Sequence, residues 1–133
     1  MSILDTKEWF LIADEDYEMA LILNNAEHRI FKGITYHCAQ AAEKYLKGFL
    51  AYNNIIPEKT HDLLKLLNKC ISIDTVFMEV MTECDKINEF NNEVRYPFGP
   101  IADEKAVNYC LSSIEKIRKL EIFLKIRAKI NDD

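Results

Sequence analysis

The chain has 133 residues, 49 % apolar and 29 % charged, with a formal net charge of −5 and only three glycines and three prolines. That length fits one domain, residues 1–133, whose core needs no disulfide or metal staple. The acidic balance argues against a tight non-specific nucleic-acid binder, which needs a basic surface. The shortage of turn residues argues against a β fold rich in turns.

The opening MSILDTKEWF has no basic leader and no long apolar run, so no signal peptide is expected. No uncharged apolar stretch approaches the ~18 residues of a membrane span. A cytoplasmic protein with no membrane association is the expectation. Cys38, Cys70, Cys84 and Cys110 are far apart, lack CxxC spacing and lie among apolar residues. They read as reduced, buried thiols rather than a zinc site or a disulfide frame.

Helical periodicity runs through the chain. A first helix is expected from Asp5 to Asn24, with Trp9, Ala13, Tyr17, Ala20 and Leu21 on its inner side. A second, from Phe31 to Tyr52, carries two apolar stripes. One is Ile34, Cys38, Ala41, Tyr45, Phe49 and Tyr52; the other is Ala39, Ala42, Leu46 and Leu50. Two stripes mean two or more packed neighbours, so this helix is central. Gln40, Glu43, Lys44 and Lys47 are left on the remaining arc. Gly48 costs about 1 kcal/mol relative to Ala in a helix, which implies a packing reason for it.

Asn53-Asn54 and Pro57 mark a loop. Thr60 is the expected N-cap of a third helix ending near Ile71, with Asp62 in its first turn. Asp74 or Thr75 caps a fourth, with Phe77, Val80, Met81, Cys84, Ile87 and Asn88 inward, reaching about Val94. Pro97 and Pro100 forbid its continuation. A last helix is expected from Asp103 to Ala128 with Val107, Cys110, Ile114, Ile117 and Leu124 inward. Four to five helices on short connections make an all-α, antiparallel up-and-down bundle.

Charge is uneven along this bundle. The first helix is acidic (Asp5, Glu8, Asp14, Glu15, Asp16, Glu18) and the last basic (Lys116, Arg118, Lys119, Lys125, Arg127, Lys129). The two attract each other within one bundle or between two chains, or they are two solvated faces.

No phosphate loop, nucleophile elbow, HExxH or metal-spaced cluster occurs, and neither metal nor cofactor is expected. His37, on the apolar-leaning face of the second helix, reads as a structural histidine. His61, near the start of the third, is placed to cap that helix or to join a site. Asp16 interrupts an apolar face and needs a cation, because an unpaired buried carboxylate is costly. Arg95 is the natural candidate. Asn91 and Asn88 precede it by one and two turns on nearly the same face. The Arg95 guanidinium fork suits a carboxylate or a phosphate equally. It is therefore either tied to Asp16 or held out for a ligand, beside Tyr96.

Three segments taken together resemble the HEPN domain. They are Ala13, Asp16, Tyr17 and Ala20 in the first helix, then YHCAQAAEKYLKGFLAYNNIIPEKTHDLLKLL, then NNEVRYP. The resemblance covers nearly the whole chain. It implies a helical bundle like the substrate-binding subunits of nucleotidyltransferases, usually homodimeric. Such domains often work beside a minimal nucleotidyltransferase in toxin–antitoxin pairs. Many are metal-independent ribonucleases in which an arginine holds phosphate and a histidine a few residues later does acid–base chemistry. Arg95 matches that arginine. The histidine would stand at Pro100, Ile101 or Ala102, and none is a histidine.

The expectation is therefore a homodimeric module, non-catalytic or weakly active, that binds a nucleotide or RNA, or a nucleotidyltransferase partner. Arg95, Tyr96, His61 and Asn91 would make the contacts, with Asp16 and Asn88 in support. The rivals are a ribonuclease toxin in which His61 replaces the missing base, and a purely structural dimerisation module.

Overall fold

The first two helices pack in opposite directions, and the side-chain pairs show it. Phe10 meets Gly48, Asp14 meets Tyr45, Asp16 meets His37 and Leu23 meets Gly33. As the number rises on one helix it falls on the other, so helices α1 (Ile3–Asn25) and α2 (Phe31–Tyr52) are antiparallel. This computed structural model describes the backbone of residues 3–91 and 100–132, and the side chains of 5–91 and 100–131.

The chain continues through α3 (Leu63–Ile73), a 3-10 turn (Thr75–Val80), α4 (Met81–Asn88), α5 (Glu104–Arg118) and α6 (Glu121–Asp132). Leu63 meets Asn88 across the antiparallel pair α3–α4. Lys116 meets Glu83, and Glu89 lies beside Cys110, across the antiparallel pair α4–α5. The all-α bundle is as the sequence implied, but it has six helices among the described residues rather than four or five.

Helix α2 begins and ends where its periodicity says. Both of its apolar stripes are buried, with Tyr52 only partly so. Its glycine has the packing reason anticipated. A Cβ on Gly48 would stand 2.6 Å from two ring carbons of Phe10, so only Gly lets α1 approach this closely. Phe10, Tyr45 and Phe123 then meet with ring centroids 5.7–5.9 Å apart, and Phe77 joins Phe123 at 5.6 Å. Edge-on aromatic pairs of this kind add roughly 0.5–1.5 kcal/mol each to their burial.

Four expectations need correction. The N-cap of α3 is Asp62, not Thr60: its carboxylate accepts from Leu64 N and Lys65 N, while Thr60 Oγ1 accepts from Asp62 N. The charged side chain two residues on is the stronger acceptor for the same free N–H groups. The fourth helix divides into a 3-10 turn and α4, and α4 ends at Asn88 rather than near Val94, which lies outside the described residues. Met81, expected inward, is 40 % exposed, because the change from 3-10 to α pitch at Val80 turns it outward.

The last helix breaks at Lys119–Leu120, where no proline or glycine signals it. The break shifts the inward face from the Val107, Cys110, Ile114, Ile117 series to Leu120, Phe123, Ile126 and Ile130, and leaves Leu124 51 % exposed. Phe123 thereby reaches the aromatic cluster. The four cysteines are buried and free. Burial pushes the thiols of Cys84 and Cys110 up to about 12, so they stay protonated and inert.

Candidate functional site

Helix α2 carries charge where its surroundings are apolar. Gln40, Glu43 and Lys47 were expected on a solvent arc, yet all three are buried, Glu43 to 1 % exposure. Spaced three and four apart, they form one stripe with Lys44. Such a stripe is stable only if its members satisfy one another.

They do so with one another and with His61, Asn91, Asp16 and His37. Glu43 Oε1 accepts from Asn91 Nδ2 at 2.9 Å and from His61 Nδ1 at 2.8 Å. Glu43 Oε2 accepts from Lys47 Nζ at 3.1 Å. Asn91 Nδ2 also donates to the His61 carbonyl at 2.6 Å, and Asn91 Oδ1 accepts from Gln40 Nε2. Gln40 Oε1 accepts from Lys44 Nζ at 2.7 Å, and Lys44 reaches Asp16 at 3.6 Å. His37 Nδ1 closes the chain on Asp16 at 2.9 Å. One polar ladder thus runs from His37 through Asp16, Lys44, Gln40 and Asn91 to Glu43, His61 and Lys47.

Of the residues singled out from sequence, His61, Asn91 and Asp16 stand on this ladder. Asn88 stands beside it. Its Oδ1 accepts from Leu63 N at 2.8 Å, and its Nδ2 donates to the capping Asp62 at 3.1 Å. Asn88 and Asn91 both bond the stretch that opens α3. They turn to opposite ends of the His61–Leu63 stretch and pin it from two sides. The partners described for Asp16 are His37 and Lys44 rather than an arginine. Arg95 and Tyr96 lie outside the described residues. Asn91 is the last residue described before their segment, and it is 5 % exposed.

Burial pushes the Glu43 carboxyl up, but the hydrogen bonds from Asn91 and His61 and the charge of Lys47 outweigh it, and its pKa falls below the ordinary range. Glu43 is therefore an anion at neutral pH and can only accept. In the bond between them the His61 Nδ1–H is therefore the donor. The imidazole is 45 % exposed, so a buried carboxylate orients a surface histidine.

The HEPN domain family model matches residues 6–125. The chain belongs to the HEPN family. No curated protein and no solved structure matches it significantly. In this HEPN domain the ladder occupies the AQAAEKYLK stretch of α2 and the THDL stretch that opens α3, the same segments that carried the resemblance.

A second charged cluster joins α1 and α2 to the C-terminal helices. Arg127 grips Asp14 through two bonds of 2.8 and 2.9 Å. Tyr45 donates to Asp14, and Arg118 donates to the Tyr45 hydroxyl at 2.9 Å. Arg118 also stacks on Tyr17 with its guanidinium carbon 3.9 Å from the ring centre. The acidic first helix and basic last helix therefore attract each other within the chain.

Sequence reading missed the polar stripe of α2. Its signal was present: with two apolar stripes on one helix, little arc remains for solvent, and charges between them must pair. Among the described residues no three His, Cys, Asp or Glu side chains gather as a metal site. No described helix is long and apolar enough to cross a membrane.

Proposed function

We propose that this HEPN domain is a non-catalytic module that binds a nucleotide or an RNA segment through Arg95 and Tyr96. His61 and Asn91 would border the ligand, and the module would act as a homodimer beside a minimal nucleotidyltransferase. One observation carries the reading. The molecule buries a carboxylate, a lysine and a glutamine amide in the network that holds Asn91, the first residue of NNEVRYP. An anchor that costly is reasonable where the next residues must be presented in one conformation. An arginine fork there suits phosphate, and a tyrosine face suits a base. Pro100, Ile101 and Ala102 offer no acid or base, which favours binding over cleavage.

The test is fluorescence anisotropy with short labelled RNAs, and competition by nucleoside triphosphates. Loss of one charge-assisted phosphate contact in Arg95→Ala should weaken binding at least about tenfold. Unchanged affinity for every RNA and nucleotide, with unchanged capture of a nucleotidyltransferase, would overturn the reading.

One observation favours ribonuclease activity as a second reading. The Glu43–His61 pair sets a buried carboxylate on Nδ1 of a half-exposed imidazole, the arrangement that orients a histidine for proton transfer. Incubation of the pure protein with total RNA in chelator separates the two. The binding reading expects no cleavage, whereas cleavage that His61→Ala abolishes would install the second.

A further inference from the structure

Helix α1 is apolar on two sides. On its inner side Phe10, Ala13 and Ala20 are buried, and Phe10 packs on Tyr45 and Phe123. On its outer side Leu11, Ile12, Met19 and Ile22 stand 42–61 % exposed. Each other described helix leaves at most one large apolar side chain exposed, so the clustering is particular to α1. Ile12, Glu15, Met19 and Ile22 follow one another at spacings of three, four and three, with Leu11 one turn before Glu15. That spacing is the repeat of a helix that packs along a second helix, here over about 17 Å. A helix apolar all round is normally packed all round, and no described residue covers this side.

Charge selects what can cover it. Glu8, Glu15 and Glu18 are exposed on the same side, against Lys7 alone. Among the described residues none of these three carboxylates has a hydrogen-bond or ion-pair partner. Such a face repels a second α1, the phosphates of RNA and an anionic membrane surface. The basic helix α6 of a second copy fits the charge but not the shape of the need. It exposes one large apolar side chain, Leu124, against four on α1.

We propose that the outer face of α1 docks an amphipathic helix of a partner protein, one whose aliphatic stripe is flanked by lysine or arginine. The stripe covers Leu11, Ile12, Met19 and Ile22, and the flanking cations meet Glu8, Glu15 and Glu18. The four apolar groups supply the affinity, and the carboxylates choose the partner. This surface does not rest on the reading of Arg95, and either can fail without the other.

The full chain is titrated into three labelled peptides and followed by anisotropy. One is a helix with a leucine stripe flanked by lysines, the second has glutamates in place of the lysines, and the third has the first composition scrambled so that no stripe forms. Saturable binding of the first peptide alone is expected, weakened about tenfold in Met19→Gln and in Ile22→Gln, each the loss of one covered apolar side chain. Glu15→Gln should weaken it less, by an amount that shrinks as salt rises. Leu124→Gln should keep the parental affinity. All four substituted side chains are exposed, so the fold survives each change. No saturable binding, equal affinity for the acidic or the scrambled peptide, or unchanged affinity in both Met19→Gln and Ile22→Gln would overturn the proposal. So would self-association in sedimentation, or binding to phosphatidylserine vesicles or to an RNA oligonucleotide, that these two variants abolish.

Discussion

Two carboxylates organise the polar interior of this domain, and they are built differently. Glu43 is 1 % exposed and is held by a histidine, an asparagine and a lysine. Asp14 has a side chain 34 % exposed and is held by a two-bonded arginine and a tyrosine. The Asp14 cluster joins α1 and α2 to the C-terminal helices through residues far in sequence from 92–99. The Glu43 cluster spends fully desolvated groups on Asn91 and the His61 stretch, at the entrance to those residues. A helix clamp does not require a buried lysine and glutamate, since hydrophobic replacements of such pairs are often as stable. Burial at Glu43 is better understood as fixing one conformation next to the Arg95 segment.

The comparison can be broken by removing one partner from each cluster. Glu43→Ala leaves Lys47 buried without its anion and Asn91 without its acceptor, and should cost roughly 3–5 kcal/mol in urea unfolding. Arg127→Ala leaves a carboxylate that water can still reach, and should cost about 1–2 kcal/mol. Equal losses would remove the contrast between a desolvated pair and a partly solvated one.

Acid gives a finer test. Burial raises both carboxyls, but their partners lower each below its ordinary value, 4.5 for Glu43 and 3.8 for Asp14. A depressed folded pKa stabilises fully above the unfolded value and is lost as pH falls through the folded one. Stability should therefore be flat near neutrality and decline below about pH 4.5, with the Glu43 contribution beginning to fail before that of Asp14. Glu43→Gln should flatten the upper part of that acid limb, and Asp14→Asn only the lower part. A Glu43→Gln curve parallel to the parent would show that Glu43 gains no net stabilisation from its partners.

Much of this was legible in the chain. The central helix, the cap at Asp74 as one of two candidates, the start of a helix near Asp103, the buried thiols and a packing reason for Gly48 follow from periodicity, side-chain acceptors and size. The break between α5 and α6 was not. It has no proline or glycine, and it arises because Phe123 packs among Phe10, Tyr45 and Phe77, a contact over long sequence distance. His61, Asn91 and Asp16 were visible as polar residues out of place. Their connection through Gln40, Glu43, Lys44 and Lys47 was not, because a helical stripe of charge reads as a solvated face until its neighbours are known.

The central claim is that the Glu43 ladder serves the Arg95 segment while the Asp14 cluster serves only the fold. The most direct measurement is RNA and nucleotide affinity of Glu43→Gln beside Arg127→Met, at a temperature where both are folded. The account predicts an affinity loss of about tenfold or more for Glu43→Gln, as for loss of a charge-assisted contact, and parental affinity for Arg127→Met. Equal affinities in the two variants, or a loss confined to Arg127→Met, would contradict it.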